Sequence, residues 1–344
     1  QSQDAIIDFS EPAIMKTVSI PNICIYTARD FPYGTAAENF VRMMALGLHE
    51  NGARVEVIRF RGRINKSLND TPVRCSNYLF PKRAGNDFIK LFELFALTLF
   101  IPFSLLWRKY LRNDNVVVLY GLEYFYIVSP FILFCKIYRL KCVRIITDYY
   151  KPGMIAPKWW KKPKVFFYHL QFRNFDRYLD GILVLSIFMY NKCLENKVKK
   201  NRLVHILHFI DVGTADDILN LPPPKGKIIG FCCNPSIENG ILELAEAFEM
   251  VLEEIPDAEL RIIGKVESAV REKLMTIIKK KDRLTLTGHI PHQEVKKQLQ
   301  ACAVLVNPRR NSEWAISGFP TKLGEYLASG RPVITSGYPM EFNT

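Results

Sequence analysis

Hydrophobic positions along the chain alternate between short apolar runs and longer stretches with helical spacing. The run at 23–26 predicts a strand, and apolar positions three and four apart predict a helix from about 36 to 50. Asn51-Gly52 ends that helix, and Val55-Glu56-Val57-Ile58 predicts the next strand. A β-α-β unit of this length implies parallel strands.

The same alternation continues through the rest of the chain. Apolar runs typical of strands covered on both faces lie at 116–120, 143–147, 181–185, 228–231, 259–263, 284–286, 304–306 and 333–335. The strongest linker signal is Leu221-Pro222-Pro223-Pro224-Lys225-Gly226. The sequence therefore predicts an α/β protein of two doubly wound, Rossmann-like domains that face each other across a cleft, with ligands at the carboxyl ends of the strands.

These signals divide the chain into an N-terminal extension at 1–19, a first domain at 20–212, a linker at 213–227 and a second domain at 228–344. The extension has no basic segment followed by an apolar core, so we expect no signal peptide. The apolar stretch at 94–107 is shorter than the roughly 20 residues that a spanning helix needs. It predicts a buried or interfacial helix.

Composition limits the choice of partners. Among 344 residues, Lys and Arg number 47 against 34 acids, a net charge of +13 that favours anionic partners. No nucleic-acid-binding motif is present, so we expect no nucleic-acid partner. None of the eight cysteines forms a Cys-x-x-Cys pair, which argues against zinc ribbons and thioredoxin-like chemistry and favours a reducing, cytoplasmic compartment.

The most informative segment is 307–335, which predicts a helix between Pro320 and Gly330. Amides at its beginning, around Gly318, and the charge of Lys322 would favour an anion. One turn further on, Glu325 could accept hydrogen bonds from a vicinal diol such as a ribose. An ordinary capped core helix has the same pattern, so both interpretations stay open.

Residues 319–334, which begin Phe319-Pro320-Thr321-Lys322, resemble the signature helix of family-4 retaining glycosyltransferases of the GT-B fold, also called group 1 glycosyltransferases. Further similar pieces occur in the family's order, at 34–40, 180–186, 261–264, 286–291 and 301–308. The resemblance covers nearly the whole chain from Ile20 onward.

The resemblance implies transfer of a sugar, as in hexosyltransferases, from a UDP-type or GDP-type nucleotide-sugar to a glycan or lipid-linked acceptor. It implies retention at the anomeric carbon, no metal and no separate cofactor, and a part in cell-surface polysaccharide assembly. The family's ribose-binding Glu falls on Glu325. Its sugar-contacting Glu falls on Ser317, where the motif is broken. Amides of Gly318, Phe319 and Thr321 would bind sugar or diphosphate.

Two departures from the family pattern concern charge and chain length. The family places an Arg and a Lys just after the first strand of its second domain, but 230–240 contains no basic residue. Arg309, Arg310 and Lys322 are candidates to stabilise the leaving diphosphate instead, although Arg309 and Arg310 also fit a solvated turn. The chain stops where the family adds a strand and closing helices, so the resemblance implies a truncated second domain.

The acceptor side would lie on the first domain. Gly34 and Thr35 resemble the family's first loop and would serve acceptor or phosphate. Asp148 stands where the family often has a His near the transferred sugar, and we predict it as catalytic together with Arg309 and Lys322. An Asp at a turn or helix cap is the plainer interpretation of Asp148.

Basic and aromatic residues mix at 157–168, around Trp159-Trp160, and a second basic run lies at 192–202. Together with the apolar stretch at 88–107 they suit an anionic membrane surface, with a peripheral position on the inner face of the cell membrane. Buried Trp residues and solvated Lys residues are the alternative.

Two other functions remain open on the sequence alone. The broken motif at Ser317, the missing basic pair and the early end would fit a non-catalytic GT-B module that binds a glycan or a partner enzyme. A sugar-nucleotide epimerase of the same fold is the other alternative.

Overall fold

A computed structural model gives the fold of the protein. It describes residues 20–28, 36–61, 72–80, 87–147, 149, 162–206, 223–224, 226–232, 239–310, 312, 316–318 and 320–336.

A seven-stranded parallel sheet forms the first half of this part of the chain. Its strands are β1 (Asn22–Thr27), β2 (Arg54–Arg61), β3 (Arg74–Phe80), β4 (Val116–Tyr120), β5 (Lys141–Ile146), β6 (Gly181–Val184) and β7 (Leu203–His205). The order across the sheet is β3-β2-β1-β4-β5-β6-β7. The direction of strand addition therefore reverses between β1 and β4, and such a reversal opens a crevice at the carboxyl ends of the strands.

Helices cover both faces of this sheet. They are α1 (Ala36–Glu50), α2 (Asp87–Leu111), α3 (Phe125–Ile137), α4 (Lys162–Leu170), which continues into a π-helical turn (Gln171–Phe175) and a 3-10 turn (Asp176–Tyr178), and α5 (Ile187–Glu195). Alternate residues of β1 point to opposite faces. Ile25 packs in the core beneath α1, whereas Tyr26 packs in the core beneath α2 and α3.

The second sheet contains β8 (Ile228–Cys232), β9 (Glu259–Ile263), β10 (Leu284–Gly288), β11 (Val304–Asn307) and β12 (Val333–Thr335). All pairs are parallel and the order is β10-β9-β8-β11-β12. Its helices are α6 (Ile241–Glu254), α7 (Ser268–Ile277), α8 (His292–Gln300) and α9 (Thr321–Leu327). The reversal of strand order here lies between β8 and β11.

The predicted architecture of two parallel-sheet α/β units is confirmed. The strands of the two sheets lie on either side of the predicted linker, most of which is outside the described residues. Two strands had no clear signal in the sequence: β3 because polar residues fill its first half, and β7 because it has three residues. The apolar stretch predicted as a buried or interfacial helix is part of α2, which is 25 residues long.

Helix α2 is fixed to the first sheet through a buried charge. The guanidinium of Arg108 is fully buried and contacts Glu56 of β2, with 2.6 Å between Nη1 and Oε2, and Asp114, at 3.4 Å. One turn before Arg108, Ser104 shares a 2.6 Å hydrogen bond with the hydroxyl of Tyr26. In the described part of the chain, no helix combines the length and the apolar character needed to cross a membrane.

The carboxylate of Glu56 is the centre of this network. Burial alone would raise its pKa, but hydrogen bonds from Arg108 and Ser76 outweigh burial and lower the pKa from 4.5 to about 2. The folded state therefore holds Glu56 as an anion well below the pH at which the unfolded chain would protonate it.

We expect Glu56→Gln to lower the free energy of unfolding at neutral pH by about 3–5 kcal/mol, because it removes the closer of the two carboxylates that neutralise the buried Arg108 charge and leaves only Asp114, at 3.4 Å. The contribution of Glu56 is complete above about pH 5 and is lost as the pH falls toward 2, since its folded pKa lies below its unfolded pKa. The difference between wild type and variant should therefore shrink over that interval. Urea unfolding followed by circular dichroism at several pH values measures both effects.

Asp257→Asn is the matched control, because Asp257 pairs with Lys227 at the surface. Its urea midpoint should stay close to that of the wild type. Equal losses in the two variants, or a loss for Glu56→Gln that does not change with pH, would contradict the role assigned to the buried carboxylate.

Candidate functional site

Helix α9 is attached to the carboxyl end of β8 by one side chain. The backbone N–H of Cys232, the last residue of β8, donates to the Tyr326 hydroxyl at 2.6 Å, and that hydroxyl donates to the Cys232 carbonyl at 3.2 Å. Tyr326 is almost completely buried. Because buried backbone groups need partners, this hydroxyl fixes the distance between the helix and the strand end.

Two opposite charges of α9 lie at the same place. Lys322 and Glu325 form a half-buried ion pair with 2.7 Å between Nζ and Oε2. Burial raises the pKa of the Cys232 thiol to about 11, with the Lys322 charge opposing the rise and the Glu325 charge adding to it. Both groups therefore lie close to the end of β8, the strand after which the resembled family carries its basic pair.

The loop after β11 packs directly on the beginning of α6. Gly240 has a φ of +74°, and a Cβ added to it would lie 1.6 Å from the carbonyl oxygen of Pro308. Only glycine allows this approach, since any side chain would collide with the Pro308 backbone. The carboxyl end of β11 and the beginning of α6 are thereby held against each other, next to the end of β8.

Arg309 and Arg310 differ in what surrounds them. The Arg310 guanidinium forms a solvent-exposed ion pair with Glu243 in the first turn of α6. Arg309 is half-buried, and its carbonyl oxygen accepts a 2.5 Å hydrogen bond from the hydroxyl of Ser336, just after β12. The charge of Arg310 is therefore directed to α6, whereas Arg309 lies half-buried at the carboxyl ends of β11 and β12.

Ser317 joins the two halves of the molecule. Its carbonyl oxygen accepts a buried 2.7 Å hydrogen bond from the Ser186 hydroxyl, and its own hydroxyl accepts a 3.4 Å hydrogen bond from the backbone N–H of Tyr149. Ser186 also caps α5, where it accepts from the N–H of Met189. The segment before α9 therefore lies against the ends of β5 and β6 of the first sheet, and Ser317 is fully buried there.

An aromatic cluster lies on the first-sheet side of this contact. The ring of Tyr149 meets four other rings edge-on at centroid distances of 5.7 to 6.4 Å, those of Tyr168, His169, Phe172 and Phe188. The position next to it, Asp148, is outside the described residues. The carboxyl end of β5 thus presents an apolar, ring-lined surface beside Ser317.

The structure brings one group of the predicted residues together. Ser317, Gly318, Thr321, Lys322 and Glu325 follow one another between the end of β11 and the middle of α9. Gly34, Thr35, Asp148, Phe319 and the 233–238 segment after β8 are outside the described residues, and their roles stay predictions. Among the side chains that are described, no three of His, Cys, Asp or Glu converge as metal ligands would.

Three residues of this region were not predicted from the sequence. Ser186 had a usable signal, because a serine between a strand and a helix is a typical N-cap. Tyr326 lies three positions after the apolar Leu323, which assigns it to the buried face of α9, but only the structure gives its hydroxyl a partner. Tyr149 contributes a backbone N–H, which no side-chain pattern encodes.

We expect Tyr326→Phe to lower the free energy of unfolding by about 1–3 kcal/mol, because both backbone groups of Cys232 lose their partner inside the protein. Tyr110→Phe is the control, since the Tyr110 side chain is 74% exposed and the loss of its hydroxyl should change nothing. Denaturant unfolding of the three proteins measures this. An unchanged midpoint for Tyr326→Phe would contradict the anchoring role.

Comparisons with known proteins bear on the family of the second half and on the fold. Residues 226–342 match the family model described as Glycosyl transferases group 1. No curated protein sequence matches the chain.

Three solved structures share the fold of the whole chain. Anabaena HepE in complex with UDP and glucose is 12% identical, with 92% of this chain and 81% of that one covered and a TM-score of 0.60. Sucrose-phosphate synthase from Thermosynechococcus elongatus is 18% identical, with 94% and 83% covered and a TM-score of 0.65. WaaG, a glycosyltransferase involved in lipopolysaccharide biosynthesis, is 12% identical, with 91% and 80% covered and a TM-score of 0.57. The chain therefore has the two-sheet GT-B architecture, and its second half is similar to the domain of group 1 glycosyltransferases.

Proposed function

We propose that the protein is a retaining, metal-independent glycosyltransferase of the hexosyltransferase type. It would move a sugar from a nucleotide-sugar donor to a glycan or lipid-linked acceptor. The observation that carries the proposal is the Lys322–Glu325 pair, fixed by Tyr326 at the carboxyl end of β8. The pair belongs to the segment that matches the group 1 family.

The donor would bind to the second half of the chain. The Glu325 carboxylate would accept hydrogen bonds from the two ribose hydroxyls, which are neutral donors that a carboxylate binds well. Lys322 would then leave its ion pair with Glu325 and contact the diphosphate instead. Both side chains are about a quarter exposed, so a ligand can reach them. UDP is the first nucleotide to test, because HepE was solved with UDP, and GDP is the second.

The acceptor would bind to the first half, near Gly34, Thr35 and Asp148. It would attack the anomeric carbon on the face from which the diphosphate leaves, and a diphosphate oxygen would take the acceptor's proton. Negative charge develops on the departing diphosphate, so cations nearby lower the barrier. Lys322 and the half-buried Arg309 would supply that charge, with the amides of Gly318, Phe319 and Thr321 as further donors.

Ser317 would act at the boundary between donor and acceptor. Its hydroxyl accepts a 3.4 Å hydrogen bond from the backbone N–H of Tyr149, which follows β5 of the first sheet. The short bond from Ser186 to the Ser317 carbonyl would meanwhile hold the two halves around the donor.

The proposed setting is the assembly of cell-surface polysaccharide, with the protein in the cytoplasm and peripheral on the inner face of the membrane. The net charge of +13 favours an anionic surface. The similar structure of WaaG belongs to a glycosyltransferase involved in lipopolysaccharide biosynthesis.

Nucleotide binding is the first test of the proposal. Calorimetric titration of UDP, GDP and ADP should give binding of one nucleotide to the wild type. Glu325→Ala should weaken that binding about tenfold or more, because hydrogen bonds to a charged group are lost. Glu254→Ala, which removes an exposed carboxylate at the end of α6, should bind like the wild type.

Substitutions of three cationic residues around the site test which of them takes part in catalysis. With the nucleotide-sugar identified, Lys322→Gln and Arg309→Gln should each lower kcat for transfer by roughly 10²-fold, because charge on the leaving diphosphate loses a partner. Arg310→Gln is the matched control and should stay within a few-fold of the wild type, since Arg310 is paired with Glu243. Equal effects at Arg309 and Arg310 would contradict the assignment of Arg309.

One alternative has an observation in its favour. Ser317 is fully buried between the two halves, an arrangement that would also suit a GT-B module that binds glycan without transfer. That alternative predicts glycan binding without nucleotide binding or turnover. Isomerised nucleotide-sugar in the absence of acceptor would instead indicate an epimerase.

A further inference from the structure

The outer face of α2 is apolar, although its inner face already packs on the first sheet. Five of its side chains are 39 to 74% exposed: Leu99, Phe103, Leu106, Trp107 and Tyr110. The buried side chains between them, among them Ile101 and Leu105, point to the opposite side of the helix. The outward face of a surface helix normally carries polar residues, so α2 presents a second apolar face, which the described part of the chain leaves exposed.

The neighbouring helix extends this face. α2 packs against α3, on which Leu133 and Ile137 are also more than half exposed. Each helix leads into the next strand of the same parallel sheet, α2 into β4 and α3 into β5. Their C-terminal ends therefore lie at the same edge of the sheet, and the exposed residues of the two helices adjoin. We call these seven residues the α2–α3 surface.

The two segments that carry the α2–α3 surface hold positive charge and no negative charge of their own. The segments 96–112 and 125–141 contain no Asp or Glu. They contain six cations, Arg108, Lys109, Arg112, Lys136, Arg139 and Lys141. Arg108 and Arg112 contact Glu56 on the inner side, and Lys141 pairs with Asp180 at 3.6 Å, whereas Lys136 and Arg139 are exposed. The apolar surface is thus bordered by positive charge at the edge where both helices end.

We propose that the α2–α3 surface docks the protein on an anionic lipid bilayer. Exposed Phe, Trp and Tyr side chains with Lys and Arg beside them fit the boundary between headgroups and acyl chains, where rings enter and cations meet lipid phosphate. A second copy of the chain is the less suitable occupant, because it would bring two surfaces of like charge together.

The mode of docking follows from how α2 is held. Its inner face is fixed to the sheet by the buried Arg108–Glu56 contact, so the helix would lie on the membrane and not cross it. This inference rests on the proposed function in one respect: an acceptor carried on a lipid would give the protein a reason to bind a membrane. The binding itself is independent of nucleotide chemistry.

Vesicle flotation of the full chain tests the docking. The wild type should bind vesicles of phosphatidylcholine with phosphatidylglycerol, and bind vesicles of phosphatidylcholine alone much more weakly. Phe103→Gln combined with Tyr110→Gln should lower partitioning about tenfold or more, because two rings no longer enter the bilayer. Met250→Gln on α6 is the matched control, since Met250 is 70% exposed but far in sequence from α2, and should bind like the wild type.

The charges are tested separately. Lys109→Gln combined with Lys136→Gln should lower partitioning on anionic vesicles by roughly 25-fold, since each Lys near such a surface contributes about fivefold. Lys273→Gln combined with Lys297→Gln removes the same charge from α7 and α8 and should have a much smaller effect. Added salt should weaken the binding of the wild type to anionic vesicles. It should also narrow the difference in partitioning between the two double variants.

Several results would overturn the proposal. These are no binding of the wild type to anionic vesicles, unchanged binding of the Phe103 and Tyr110 double variant, and equal binding to neutral vesicles. A dimer that this double variant dissociates, measured by sedimentation velocity, would make a second copy the occupant. UDP titration of the same proteins tests the membrane docking separately from the proposed function. The surface variants should bind nucleotide like the wild type even where they lose vesicle binding.

Discussion

The two hydrogen bonds between Tyr326 and the backbone of Cys232 are the contact on which the candidate site depends. A seven-residue helix has little stability of its own, so its position comes from tertiary contacts. Tyr326 supplies that contact in the second sheet, and it does so at the carboxyl end of the strand beside the reversal of strand order. The charges of Lys322 and Glu325 are on the same helix and share its position. Tyr326 therefore sets the position of the two charged groups, although it carries no charge itself.

Buried ion pairs hold helices and turns on the first sheet, as the Tyr326 hydroxyl holds α9 on the second. Arg108 of α2 meets Glu56 of β2, and Arg144 of β5 meets Asp176 in the turn after α4, whose other carboxylate oxygen accepts from Gln171. Each pair leaves a costly charge if one partner moves, so the helices have one position on the sheet. For α2 this has a further consequence, because a helix that is fixed on its inner face keeps its outer apolar residues exposed.

The sequence predicted the periodic parts of the fold and not the parts that depend on single contacts. Strands such as β4 and helices such as α1 follow from apolar spacing, because they bury a whole face. The three-residue β7 has too few positions for a pattern. In the site, residue type and order pointed to Lys322 and Glu325, but the pairing of Tyr326 with a strand end, and of Ser186 with a carbonyl 131 positions away, is set by tertiary packing. Hydrogen bonds to backbone groups leave no trace in a hydrophobic pattern.

Ser317 lies where the segment before α9 meets the first sheet. A glutamate side chain at this position would need a polar space for its charge, whereas Ser317 is fully buried and lies against the backbone of Tyr149. A charged carboxylate there would lose its hydration, and the two groups of the first sheet that bond Ser317, the Ser186 hydroxyl and the Tyr149 N–H, carry no positive charge to compensate. Serine satisfies both with neutral groups. The serine at position 317 and the close contact between the two halves are thus one feature, since a small neutral side chain lets the segment before α9 lie against β5 and β6.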